Sequence, residues 1–193
     1  MKQLHLQMLE ELYHNGQGVF TKIDEQRLRH IASFVLECPR VFVLGMGHSG
    51  MFGRILSMKL NHLGLKAYTV FDEINPPLGQ NDLFIAISQS GETTTVTALA
   101  QKAKKMGGNV LGITSSPDST ICRISDKSLV IPKVDQNTDF KALGAIGDKT
   151  SQNLLGMLFG CNIYILFYAL IVILAENRGE TPESINSRHQ NLQ

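Results

Sequence analysis

The sequence predicts an α/β fold, a parallel five-stranded sheet flanked by helices, and three observations carry that expectation. Short apolar runs without polar interruption, such as Val41–Leu44 and Leu83–Ile87, suit strands buried on both faces. Helical stretches alternate with these runs through mostly short connections and without internal repeats, which calls for parallel strands and right-handed crossovers. Two of the strands run straight into glycine and hydroxyl turns that open a helix, GMGHSG at 45–50 and SQSGET at 88–93.

Taken in order, Leu4, Met8, Leu9 and Leu12 recur at helical spacing, as do Leu28, Ile31, Ala32, Val35 and Leu36. Two helices therefore precede the first strand as a packing or dimerisation arm, with a break near Asn15 to Gly18. The strand Val41–Leu44 leads through GMGHSG into the helix MFGRILSMKLNHLG. Lys66 to Phe71, Leu83 to Ile87, Asn109 to Ile113 and Ser128 to Ile131 read as the remaining strands, with the helix TTTVTALAQKAKK after the third. Lys102, Lys104 and Lys105 fit the solvated face of that helix. From Lys133 to Thr150 there is no clean period, and a long loop is expected, a kind that is often functional. Gly179 ends the apolar helix that follows, and Thr181, Pro182 and Glu183 read as the cap and first turn of a short last helix with His189 near its end. Residues 1–193 form one domain on this reading: a helical arm (1–37), the sheet (38–132), and a loop with C-terminal helices (133–193).

No charged side chain occurs from Ser151 to Ala175, a stretch long enough to cross a bilayer. Asn162 lies inside it, Tyr164 and Tyr168 occupy its middle rather than its ends, and no basic cluster flanks it. These features favour a helix buried at the centre of an oligomer, with no membrane. A formal charge of +1 supplies no basic field for nucleic acid. Cys38, Cys122 and Cys161 are odd in number and lack CxxC spacing, which fits a reducing compartment without structural zinc. The N-terminal stretch has neither the apolar core nor the cleavage site of a signal peptide, so the expected location is the cytoplasm.

The residues from Ser88 to Thr93 stand where a strand ends and a helix begins. Unpaired N–H groups and partial positive charge collect at a helix start, so this hydroxyl-rich turn makes a seat for a phosphate or carboxylate. Open α/β sheets bind ligands at that edge. Simple helix capping by Ser90 or Thr93 is the plainer reading of either residue alone. GMGHSG also satisfies GxGxxG, and Asp72 and Glu73 end the second strand where a dinucleotide fold places its ribose-binding acid. That alternative leaves SQSGET without a purpose and provides no separate catalytic domain.

Together the two motifs resemble the sugar isomerase (SIS) fold, a flavodoxin-like three-layer sandwich that binds phosphosugars. Its pattern pairs GxGxSG after the first strand with SxSGxT after a later one, over roughly residues 25 to 190 here. The resemblance implies that Ser88, Gln89, Ser90, Gly91 and Thr93 bind a sugar phosphate, and that Gly47, His48 and Ser49 contribute to the substrate site, with Ser49 facing the sugar. Within this fold the likeness narrows to the 6-phospho-3-hexuloisomerases, through the chain length, MKLNHLG, DEINPP and the RHQNL ending. The implied reaction interconverts 3-hexulose 6-phosphate and fructose 6-phosphate through an enediol, without metal or cofactor. It needs a base and a group to move hydroxyl protons, for which Glu73 and His189 are the matching candidates. A homodimer or homotetramer is implied.

Two departures stand out. His48 occupies a position that is usually arginine in that family, and Gly160 one that usually carries a glutamate, a candidate base. Glu73, Asp148 or His48 would then have to supply the base. A sugar-phosphate-binding module without catalysis, and an arabinose 5-phosphate isomerase, are the alternatives that follow.

Overall fold

The computed structural model describes residues 4–132 and 148–189, with side chains for 5–132 and 157–189. Helices α1 (Leu4–Phe20) and α2 (Glu25–Glu37) lead into β1 (Val41–Gly45), α3 (Gly47–His62), β2 (Ala67–Thr69) and β3 (Leu83–Ile87). Then follow α4 (Thr94–Lys105), β4 (Asn109–Thr114), α5 (Thr120–Ile124), β5 (Lys127–Val130), α6 (Asp148–Arg178) and α7 (Pro182–Asn186). The five strands are all parallel, in the order β2-β1-β3-β4-β5. Every residue of β3 is buried, as expected of a central strand covered on both faces.

Alternate strand residues feed two apolar layers. Val41, Val43, Ile85 and Ile113 join Leu28, Ile31, Leu56, Leu60, Phe159 and Ile163 on the side of α2, α3 and α6. Phe42, Leu44, Phe84 and Val110 meet Val96, Ala100 and Ile121 on the side of α4 and α5.

The apolar helix α6 is long enough to span a bilayer, yet just over half of its apolar window is buried within the fold. Leu158, Phe159, Asn162, Ile163, Leu166, Phe167, Leu170, Ile173 and Leu174 form its inner face. Met157, Ile165, Tyr168 and Val172 form an exposed outer stripe. Asn162 is no defect in that inner face, because its amide donates to the Asn15 side chain of α1 at 3.0 Å.

That bond also corrects the break expected at Asn15 to Gly18. Helix α1 runs through those residues to Phe20, with Asn15, Gly16 and Val19 buried. Tertiary packing against α6 thus overrides the roughly 1 kcal/mol that each helical glycine costs. The second strand is shorter than Lys66 to Phe71, and the fifth is shifted by one residue to Lys127–Val130. Most of the loop expected from Lys133 lies outside the described residues, while Asp148–Thr150 already belong to α6. Gly179 (φ 64°) ends α6, and Thr181 forms a capping box with Ser184 ahead of α7.

Candidate functional site

Strand order creates the site. β2 lies on one side of β1 and β3 on the other, so the chain reverses direction across the sheet between β1 and β3. Open α/β sheets form a ligand crevice at such a reversal, beyond the carboxyl ends of the strands. Gly45 and Ile87 are register partners there, which brings GMGHSG and SQSGET side by side.

The first motif is hardly a loop. Only Met46 separates β1 from α3, and Gly47, His48, Ser49 and Gly50 are the first turn of the helix. A Cβ on Gly45 would stand 2.6 Å from the Ser49 backbone, and one on Gly50 would stand 2.7 Å from the Gly45 carbonyl oxygen. Both glycines therefore permit the close approach of helix to strand. Met46 provides no side-chain cap, and among the described residues no side chain accepts from the first N–H groups of α3.

In the second motif Ser88 is buried, Thr93 is half-buried, and Gln89 and Ser90 are exposed. The Ser88 hydroxyl lies 2.8 Å from that of Thr93 and accepts from the Gly91 N–H at 3.1 Å. Thr93 is the N-cap of α4 by position, but its side chain does not cap the helix. Ser90 instead accepts from the Glu92 N–H. Gly91 has φ 67°, and a Cβ there would fall 2.1 Å from Ser119 Oγ. Helices α2, α5 and α7 carry side-chain caps from Asp24, Ser119 and Thr181, whereas α3 and α4 carry none. Among the helices whose N-cap residues are described, the two without a side-chain cap are those at the crevice, and a helix N-terminus of this kind supplies donors and positive potential for an anion.

A supporting loop after β4 went unread in the sequence. Thr114 Oγ1 and the Ser115 N–H both donate to the Gln89 carbonyl, and Glu92 accepts from the Thr120 N–H at 2.7 Å. That N–H holds the Glu92 carboxyl below its usual range. The available signal was SSPDST at 115–120, a third hydroxyl-rich stretch directly after a strand.

The remaining candidates are spread apart. Glu73 is exposed in the turn beyond β2, next to Asp72, which pairs with Arg54 of α3 at 3.0 Å. His189 stacks on His62, ring centroids 3.9 Å apart, at the far end of α3. A 16-residue helix is about 24 Å long, so one chain does not unite His189 with the serine loop. Burial, then the neighbouring His189 and Lys59, push the His62 imidazole below its ordinary pKa. Arg188 ties this end down, donating to the His62 carbonyl at 3.0 Å and to Glu180 at 2.7 Å. The Asp148 side chain lies outside the described residues. A separate apolar cleft of about 230 Å³ between α4 and the β2–β3 connection, lined by Phe42, Val70, Phe84 and Leu99, contains no residue of either motif. No cluster of metal-ligating side chains occurs among the described residues.

Comparison with known proteins agrees with this fold. Residues 35–159 match the SIS domain. A Bacillus subtilis protein named 3-hexulose-6-phosphate isomerase is 31% identical over 191 residues, covering 97% of this chain and 96% of the relative. A crystal structure from Methanococcus jannaschii, for which the molecular function of a 3-hexulose-6-phosphate isomerase is inferred, superposes with a TM-score of 0.74 at 26% identity, covering 96% of this chain and 99% of that one. The Vibrio vulnificus NanR protein complexed with ManNAc-6P shares the fold at a TM-score of 0.70 and 22% identity, covering 93% of this chain and 64% of that one. With the strand order, both motifs and the family match in agreement, this chain belongs to the SIS domain family.

Proposed function

We propose that this chain is a sugar-phosphate isomerase of the hexulose type, interconverting 3-hexulose 6-phosphate and fructose 6-phosphate. One observation carries the reading: two uncapped helix N-termini meet at the β1/β3 crevice of a chain that aligns nearly end to end with a named 3-hexulose-6-phosphate isomerase. Ser88, Gln89, Ser90, Gly91 and Thr93, with the first N–H groups of α4, hold the phosphate. Gly47, His48 and Ser49 on the first turn of α3 meet the sugar. A base removes the proton from the carbon next to the carbonyl, the enediol forms, and the proton returns to the neighbouring carbon. Glu73, in the exposed turn after the edge strand β2, is assigned on this reading to move hydroxyl protons.

Residues 1–193 act as one phosphosugar-binding domain in a cytoplasmic homodimer or homotetramer. The outer stripe of α6, with Leu9 and Tyr13 of α1 and Met51 and Met58 of α3, leaves apolar surface for a second copy to cover. His189 takes part in catalysis only if it enters the site of a neighbouring copy, since its own serine loop is a helix length away.

The test is conversion of fructose 6-phosphate by purified protein, followed by NMR, with calorimetric binding in parallel. Turnover is the expected result, and absence of both turnover and binding sinks the assignment. Binding without turnover favours the second reading, a module that recognises sugar phosphates without transforming them, which Gly160 motivates through its lack of a carboxylate.

A further inference from the structure

We infer that the His48 imidazole is the base that moves the carbon-bound proton, held in place by a slot that Gly160 leaves empty; the inference rests on the isomerase reading above. A Cβ on Gly160 would fall 2.9 Å from His48 Cε1, 3.0 Å from His48 Nδ1 and 2.5 Å from Phe52 Cε2. The space beside α6 in which a residue-160 side chain would stand is therefore filled by the His48 and Phe52 rings. His48 meets the Phe52 ring edge-on at 4.9 Å and 71°, and Phe52 in turn lies 5.8 Å from the Tyr164 ring. The imidazole is braced on its Nδ1–Cε1 edge and against Phe52, yet the residue stays exposed at the crevice. A base needs such a fixed ring with open access to substrate.

Elimination among the described residues leads to the same group. At the carboxyl edge of the sheet, Asp72 is paired with Arg54, and Glu92 is bound to the Thr120 N–H within the supporting loop. Asp118 lies beyond β4, on the far side of the serine loop from α3, and Glu73 lies past the edge strand β2. His62 and His189 are at the other end of α3. His48, on the first turn of the helix that follows β1, is the titratable side chain at the reversal point itself. Imidazole exchanges protons readily near neutrality, as a shuttle between two adjacent carbons requires.

The step balances without an added reagent. The imidazole takes the C2 proton of 3-hexulose 6-phosphate, and the C–H electron pair forms the C2–C3 double bond as O3 gains a proton. O2 then loses its proton to become the C2 carbonyl, and the imidazolium returns its proton to C3. The net change is the shift of the carbonyl from C3 to C2.

The experiment measures uptake of deuterium from D2O at C3 of fructose 6-phosphate by NMR, alongside isomerisation and calorimetric binding. Wild type is compared with His48→Gln, His48→Ala and the double variant His48→Ala/Gly160→Glu. The expected result is a fall of about 100-fold in exchange and turnover for His48→Gln, with affinity for fructose 6-phosphate within roughly threefold. His48→Ala clears one of the two rings from the slot, and once the Phe52 ring, 2.5 Å from a Cβ at 160, turns aside, a glutamate there takes the vacated place, so the double variant regains roughly tenfold over His48→Ala. Exchange by His48→Gln within roughly threefold of wild type overturns the inference and leaves the isomerase reading intact. A fall in fructose 6-phosphate affinity for His48→Gln as large as its fall in exchange also overturns it, leaving His48 a sugar contact alone. A wild-type protein that neither exchanges nor isomerises overturns the parent reading, and this inference with it.

Discussion

At the amino edge of the sheet, polar groups are satisfied inside the protein. Asp82, almost fully buried, accepts from Arg40 at 2.6 Å and from the Gly79 N–H at 2.7 Å, while its carbonyl accepts from the Asn109 N–H. Burial works against the Asp126 carboxylate, but Lys104 and the Val110 N–H outweigh it and hold its carboxyl below the usual range. The carboxyl edge is finished differently. Helices α3 and α4 start without side-chain caps, the hydroxyls of Ser88, Ser90 and Thr93 form a local cluster, and His48 stays exposed. One sheet thus has an edge whose polar groups are paired within the fold and an edge where two helices start without side-chain caps, the edge to which the proposed function assigns the phosphate. If the proposed function holds, the difference makes stability and binding separable by position along the strands.

Mutations test that separation, from the largest effect to the smallest. Asp82→Ala leaves the Gly79 N–H and Arg40 without their carboxylate, and a loss on the order of 3 kcal/mol is expected in urea unfolding. Fructose 6-phosphate affinity of the folded variant should stay unchanged, and a parallel fall in calorimetric affinity would break the comparison. Gly91→Val crosses the divide, because φ 67° and the approach to Ser119 oppose any side chain. It should cost roughly 1 to 3 kcal/mol of stability and abolish sugar-phosphate binding together.

Ser90→Ala with Thr93→Ala sharpens the contrast from the other side. Each hydroxyl that contacts a charged phosphate contributes roughly 1.5 to 3 kcal/mol, so with both removed calorimetry should show affinity reduced at least about 100-fold. Unfolding should shift by no more than about 1 kcal/mol, since both side chains stand at a rim rather than in a core.

The smallest effect is acid sensitivity at the His62 end of α3. Arg188, Ser184 and Arg178 hold the Glu180 carboxyl at about 2 against an ordinary 4.5, so its contribution is complete above pH 4.5 and is lost as pH falls toward 2. Burial lowers His62 from 6.5, which gives the same sign, with stability complete above pH 6.5 and declining below it. Thermal melts should therefore weaken below pH 6.5 and again below 4.5, with Glu180→Gln flattening the lower step.

Much of the fold was legible because its signals are local. The uninterrupted run Leu83–Ile87 marked a central strand, and Gly179 and Thr181-Pro182 marked a helix end and the next helix start. The break placed at Asn15 to Gly18 failed because glycine and asparagine were read as punctuation, when Asn15 faces Asn162 of a helix nearly 150 positions away. GMGHSG was read as a turn ahead of a helix starting at Met51, yet all but its first two residues are helix, as Gly45 and Gly50 let α3 begin against the strand.

The sequence by itself determined the α/β alternation, the two glycine and hydroxyl motifs and the apolar helix, since periodicity, caps and turn residues act over a few positions. Tertiary structure decided the rest. The order β2-β1-β3-β4-β5 set the two motifs beside each other, though some 40 residues separate them. The packing of α6 on α3 put His48 into the space at Gly160, and the docking of α7 carried His189 to the opposite end of α3. Those neighbours come from crossover connections and core packing between distant segments, which no short window of residues encodes.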